Sequence, residues 1–242
     1  MKLLELGKAF IRKLAYLTLS LLFRLSKAKN CYQCPICKYY GRFKNIIIES
    51  TEIIDTRCPK CSSTERQRLQ YLVIKEIGKK SDLKKMSMLH FAPENSLRSV
   101  LKKIFEIYLT ADLTRPDVDR KEDLTQLSFN NDSFDFIFAS HVLEHIKNDT
   151  AALSEIKRVL KPEGMAIIPV PIMKGETVEY ALPDPQQYFH VRYIGEDYYE
   201  RYKAIFSKIL FYKSTDFSEK YHLHTSLKTG EKFVDIVPVC FK

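Results

Sequence analysis

Two Cys-x-x-Cys pairs, CPIC at Cys34 and Cys37 and CPKC at Cys58 and Cys61, constrain this chain more than any other feature. Two sulfurs three residues apart converge on one ion in a tight turn, and two such turns joined by a hairpin close a tetrahedron around it. The proline after the first cysteine of each pair stiffens the turn by fixing φ. Four thiolates leave no position for water, so the predicted role is a structural zinc ribbon. Between the pairs, GRFKNIIIES alternates and is rich in β-branched residues, as a hairpin strand should be. Cys31 is a spare thiol, read first as a bystander and second as a substitute for Cys34. Five of the six cysteines fall between 31 and 61. That is not the even scatter of a secreted disulfide framework, so a reducing, cytoplasmic setting is expected.

After the second pair, SSTERQRLQYLVIKEIGKK predicts a helix with Ser62 or Ser63 as its cap and Leu69, Leu72, Val73 and Ile77 as its buried stripe. Arg66 and Arg68 on its first turn read as solvated charges, with a phosphate or carboxylate ligand as the sharper alternative.

Upstream, Leu3, Leu6, Phe10, Leu14, Leu17 and Leu21 recur at three- and four-residue steps and form one apolar helical face, with Lys8 and Arg12 opposite. The uncharged run from Leu14 to Phe23 is about half the ~20 residues that a bilayer crossing needs. Three readings follow: a helix packing its leucines on the main domain, an interfacial helix on an anionic membrane through residues 1–28, and, third, a cleaved signal peptide. Charge concentrates here. The first thirty residues hold seven of the 39 Lys and Arg and one of the 30 acids. The rest is nearly balanced, so a broad nucleic-acid face is not expected.

From Ser87 onward short apolar runs alternate with helical patterns, which predicts an α/β fold: a doubly wound, mostly parallel sheet. MSMLHF, EIYLTADL, FDFIFAS and MAIIPVPI are its strands, with NSLRSVLKKIF and DTAALSEIKRVL as helices. Asp112 closes the second strand about twenty residues after the turn at Ala92, the spacing at which such folds place an acid on ribose hydroxyls.

The stretch LTQLSFNNDSFDFIFASHVLEHIKNDTAALSEIKRVLKPEGMAIIPVPI resembles the "LPF-D-SFD-I-S-VLEHI … E-RVLKPGG" segment of class I S-adenosylmethionine-dependent methyltransferases of the small-molecule (type 11-like) kind. The resemblance covers residues 86 to 172. It implies a seven-stranded Rossmann-like sheet with the cofactor across the carboxyl ends of the strands. It places Asp112 on the ribose, with Leu113 beside it, Asp123 on the adenine amino group with Leu124 against the ring, and Ser140 and His141 where donor and acceptor meet. Against the family's "LD-GCGTG" turn, LHFAPENS departs. His90 stands where an acid is usual, and Ala92, Glu94 and Ser96 stand where glycines are usual. Because S-adenosylmethionine carries no phosphate, the turn Phe91, Ala92, Pro93, Glu94 is read as a substituted cofactor loop, with Glu94 replacing the missing acid toward the cofactor's ammonium group.

His141 is the expected base for an acceptor proton. A second reading of HVLEH places His141 and His145 four apart on one helical face beside Glu144, with His190 as a distant donor. This resembles the divalent-metal patch of some methyltransferases of this fold; the plainer reading is that Leu-Glu-His supports the loop. Further on, HVRYIGEDYYERYKAIF resembles an "HVR-YG-DF" segment of cysteine-bearing relatives, making His190, Arg192 and Tyr193 the expected acceptor contacts. Tyrosines 188, 193, 198, 199 and 202 are candidates for stacking on a flat or sugar-like acceptor. KFVDIVPVCFK reads as a closing strand with Cys240 buried.

The expected layout is a basic amphipathic helix over 1–30, a zinc ribbon over 31–65 and a methyltransferase domain over 66–242 with an acceptor-binding insertion at about 173–206. The expected function is methyl transfer to a small-molecule or glycan-type acceptor. The alternatives are an RNA methyltransferase whose ribbon presents RNA, and a catalytically silent methyltransferase-fold binding module. Against the last, a silent fold has no need of both Asp112 and Asp123 at cofactor spacing.

Overall fold

The computed structural model describes residues 11–12, 14–23, 30–48 and 51–242. It divides into two compact units, Met1–Glu76 with Lys213–Asp235 and Ile77–Tyr212 with Ile236–Lys242. The expected boundary at residue 66 falls inside a continuous helix, α1 (Glu65–Ile77), and Lys213–Asp235 folds with the cysteine-bearing unit instead of the sheet. The tie is Arg68. It is fully buried, not solvated: its guanidinium donates to the carbonyls of Thr56 and Ser63 at 2.8 and 2.9 Å and to those of Tyr221 and His222 at 2.9 and 2.5 Å. It also lies 4.5 Å over the Phe43 ring.

In the same unit, Tyr32–Gln33 pairs with Tyr40–Gly41, and Lys44–Ile48 pairs antiparallel with Thr51–Arg57. The amino-terminal helix, described over 11–12 and 14–23, does not bury its leucines. Leu14, Leu17 and Leu21 are 54%, 56% and 58% exposed. The helix docks by another edge, where the Tyr16 hydroxyl donates to Pro59 O at 2.8 Å and Ser20 Oγ accepts from Tyr40 N at 3.3 Å. Gly41, at φ +150°, permits this approach, since a Cβ there would lie 2.7 Å from Phe23. Leu3, Leu6 and Phe10 lie outside the described residues.

The second unit holds strands β1 (Ser87–Phe91), β2 (Ile107–Asp112), β3 (Arg120–Lys121), β4 (Phe134–Ala139), β5 (Leu160–Ile167), β6 (Lys208–Lys213) and β7 (Ile236–Phe241). They form one seven-stranded sheet in the order β6-β7-β5-β4-β1-β2-β3. β1 runs parallel to β2 and β4, β2 to β3 and β4 to β5, whereas β7 is antiparallel to β5. This is the doubly wound, mostly parallel α/β sheet that the strand pattern predicts, with the seven strands that the resemblance implies. All five residues of β1 are buried, as a central parallel strand requires. The strand order reverses between β1 and β4, so a ligand crevice is expected at the carboxyl ends of those two strands.

β5 starts earlier than MAIIPVPI suggests. Its register shifts opposite Phe134 and Phe136, and Gly164 sits at the irregularity, where a Cβ would meet Lys161 O at 2.8 Å. Helices α2 (Asn95–Ile104) and α3 (Asp149–Val159) follow β1 and β4. α3 is capped by Asn148, whose Oδ1 accepts from Ala151 N at 3.1 Å. Tyr198, Tyr199 and Tyr202, read above as stacking candidates, are buried in the core instead. The Tyr202 hydroxyl donates to Ile168 O at 2.9 Å.

Candidate active site

At the reversal point lies a cavity of about 390 Å³, within the range of small-molecule sites. Phe91 and Ala92 from the end of β1, Asp112 and Leu113 from β2, and Asp123 and Leu124 beyond β3 form one side; His141, Val142, His145 and Ile146 after β4 form the other. Eight residues singled out from sequence therefore meet here. Thr114, Glu122, Val142 and Ile146 complete the lining and were not foreseen; their adjacency to Asp112, Asp123 and His141 was the available signal.

The turn after β1 keeps a glycine's backbone without a glycine. Ala92 has φ +45°, and its N–H donates to Ala111 O at 3.0 Å. His141, across the cavity, has φ +54°. Left-handed non-glycine residues are strained, and two of them line one pocket.

Asp112 and Asp123 are built alike. Asp112 Oδ1 accepts from the N–H groups of Thr114 and Arg115 at 2.8 and 2.9 Å. Asp123 Oδ1 accepts from Thr125 N at 2.8 Å and Thr125 Oγ1 at 2.7 Å. Each carboxylate is thus aimed by one oxygen, and Oδ2 takes no hydrogen bond among the described residues. The Thr125 backbone and hydroxyl donors hold the Asp123 carboxyl below the usual range.

His90, where the family carries an acid, is completely buried. Its Nδ1 lies 2.7 Å from the Tyr108 hydroxyl and its Nε2 lies 3.5 Å from Glu94 Oε2. Burial lowers its pKa despite the neighbouring carboxylate, so the ring stays neutral, accepting from Tyr108 and turning Nε2–H toward Glu94. The Glu94 carboxylate therefore faces His90, and neither it nor Pro93 lines the cavity. Pro93 is buried, with its carbonyl accepting from Arg115 Nη1 at 2.7 Å. Ser140 is buried just beyond the end of β4, likewise outside the lining.

No α-helix begins at His141. After that left-handed residue comes a single 3-10 turn, Leu143–His145, so His141 and His145 do not share a helical face. His141 Nδ1 instead meets Glu144 Oε1 at 3.1 Å. Burial pushes the Glu144 carboxyl upward, but the hydrogen bond and charge of His141 outweigh it and hold the group below the ordinary range. An ionised carboxylate accepts from Nδ1–H, the tautomer that leaves a lone pair on Nε2.

Among the expected acceptor residues, His190 and Tyr193 stay partly exposed on the hairpin strand His190–Tyr193, which pairs with Val178–Asp184. Arg192 does not. It is 0% exposed and donates to the carbonyls of Leu143, Ile146 and Lys147 at 2.7, 2.7 and 2.8 Å and to Glu179 at 3.0 Å. It shapes the pocket wall rather than touching an acceptor.

In the other unit, Cys34, Cys37, Cys58 and Cys61 place their sulfurs within 4.8 Å of one another. The Cys34–Cys61 and Cys37–Cys58 separations are both 3.6 Å. A tetrahedral ion with metal–sulfur bonds of about 2.3 Å sets sulfurs about 3.8 Å apart, so the cluster fits zinc. The residues that follow the pairs, Lys38 and Ser62, both take left-handed φ, +62° and +61°. The two turns thus repeat one geometry. Cys31 stands outside the cluster.

Residues 89–168 match the family model described as a methyltransferase domain. The fold is similar to that of Burkholderia thailandensis 1,6-didemethyltoxoflavin-N1-methyltransferase, solved with 1,6-didemethyltoxoflavin and S-adenosylhomocysteine bound. Identity is 14% and the TM-score 0.50, over 81% of this chain and 97% of that one. An S-adenosylmethionine dependent methyltransferase from Mesorhizobium loti is 12% identical, with a TM-score of 0.49 over 72% of this chain and 98% of that one. At such identities the likeness concerns the fold. No curated protein sequence matches the chain.

Proposed function

We propose, from a chain whose residues 89–168 form a methyltransferase domain, that this protein methylates a small-molecule or glycan-type acceptor with S-adenosylmethionine. The observation that carries the reading is the paired design of Asp112 and Asp123. Each is fixed by hydrogen bonds to one oxygen and lines a cavity of fitting size. Asp112 would take the ribose hydroxyls and Asp123 the adenine amino group, with Leu113, Leu124 and Ile146 as apolar walls. When bound, the cofactor supplies an electrophilic methyl group on a sulfonium. The chain's own part is to align the acceptor and accept its proton at His141 Nε2, with Glu144 steadying the resulting imidazolium.

A small or glycan acceptor is favoured by the hairpin tip, where Tyr188 and Phe189 are exposed side by side just before His190. The near-balanced charge outside the first thirty residues argues against RNA. Methyl-labelled cofactor incubated with fractionated cell extract tests this. Label should enter the small-molecule or glycan fraction, whereas nuclease-sensitive label would overturn the reading in favour of RNA.

The cysteine cluster holds zinc structurally. The helix described over 11–12 and 14–23 rests on an anionic membrane surface: Ile11, Leu14, Leu17, Leu21 and Leu22 are exposed, and the sequence places Lys8, Arg12 and Lys13 around the first of them and Arg24, Lys27 and Lys29 after the last. Among the described residues no helix is long and apolar enough to cross a membrane. Flotation with anionic vesicles should carry the full chain and not a form lacking residues 1–28; equal flotation of both would refute the contact.

A further inference from the structure

Three metal-ligating side chains converge where the pocket wall meets the hairpin. One ligand atom each from Glu144, His145 and His190 lies within 4.8 Å of the others. Glu144 is 1% exposed, and its two oxygens are treated differently. Oε1 meets His141 Nδ1 at 3.1 Å, while Oε2 is buried with no hydrogen-bond partner among the described residues. A buried carboxylate oxygen without a donor is costly, and such a group in a folded protein calls for an unseen partner. The His145 and His190 rings stand edge to face with centroids 4.9 Å apart. His190 is set there because Arg192, two residues on, ties the hairpin to the carbonyls of Leu143, Ile146 and Lys147.

We infer that Glu144 Oε2, His145 and His190 form a binding site for a first-row divalent cation at the edge of the cofactor pocket. Two imidazoles and one carboxylate suit manganese, iron, cobalt or zinc and leave positions open for outside ligands. Bonds of about 2.0–2.2 Å set neighbouring donors about 3 Å apart, so closure needs a contraction that the exposed His145 can supply by side-chain rotation. Glu144 then serves both neighbours, orienting His141 with one oxygen and holding the ion with the other. His145 lines the pocket. The open positions therefore face arriving acceptor, and two adjacent oxygens, as in vicinal hydroxyls, would fill them. That acceptor class rests on the methyltransferase reading; ion binding does not.

The thiolate cluster allows a clean test, because hard manganese does not displace zinc from sulfur. Zinc-loaded protein is titrated with Mn2+ while the free-ion electron paramagnetic resonance signal is followed, and then with Co2+ by its visible spectrum. One ion should bind per chain beyond zinc. Affinity should fall at least tenfold in His145→Ala and His190→Ala, which change partly exposed residues, and equally in Glu144→Gln if it folds. Failure of the folded wild-type chain to bind either ion at millimolar concentration overturns the inference, as does equal affinity in wild type and His190→Ala. Cofactor titration on the same sample separates the two claims, since cofactor binding without ion binding removes the metal site and leaves the methyltransferase reading standing.

Discussion

Replacing Arg192 with alanine should cripple stability before it touches acceptor affinity. The guanidinium is wholly buried, serves three carbonyls of the 143–147 loop, binds Glu179 and lies 3.5 Å from Asp149. Removing one partner from a buried ionic cluster costs about 3–5 kcal/mol. Arg201 also bridges Asp149 and Glu179, at 2.6 and 2.7 Å, so the two acids keep one cation and the lower half of that range applies. At about 2–4 °C per kcal/mol for a chain of this size, the melting temperature should fall by about 10 °C. Arg192→Lys keeps the charge but not the fork, and should recover only part of the loss. Calorimetry gives the shift, and hydrogen exchange over residues 141–149 locates it. A variant that melts within about 2 °C of wild type, exchanges normally and shows only a raised acceptor KM would refute the positioning role and restore Arg192 as an acceptor contact.

At position 92, a β-branched residue with φ near +45° is a severe outlier, so Ala92→Val should abolish cofactor binding while Ala92→Gly retains it; calorimetric titration of both decides. Burial and the Glu65 charge, against the pull of Arg66 and Arg68, raise the Asp235 carboxyl to about 7. The folded chain holds a proton that the unfolded chain releases above its ordinary carboxyl pKa. Stability should therefore fall as pH rises from about 4 through 7, by at most about 4 kcal/mol, and Asp235→Asn should flatten the thermal pH profile. Chelating the zinc should melt the cysteine-bearing unit, read as loss of circular dichroism together with release of one zinc per chain; an unchanged melt would contradict a structural role.

Much of the sheet was legible because its signals are local. The strands β1, β2, β4 and β5 follow from apolar runs and Asp112 from a fixed spacing, whereas Asp123 came only with the family resemblance of the segment that follows it. What escaped depends on distant partners. Nothing near Arg192 announces that carbonyls 45 to 49 residues away will claim it, and Arg68 likewise finds Tyr221 and His222 some 150 residues on. The leucine face of the first helix was readable as apolar, but periodicity does not say what covers it. The choice was made by a Tyr16 hydroxyl and a Ser20 oxygen on the opposite edge. The i, i+4 relation of His141 and His145 presumed a helix that the left-handed His141 prevents.

The most direct measurement is calorimetric titration of S-adenosylmethionine into the zinc-loaded protein, with Asp112→Ala as the control. Micromolar binding at one site per chain, lost in the variant, is the predicted result. No binding by a chain shown to be folded, or binding that survives Asp112→Ala, would contradict the cofactor site and with it the enzyme.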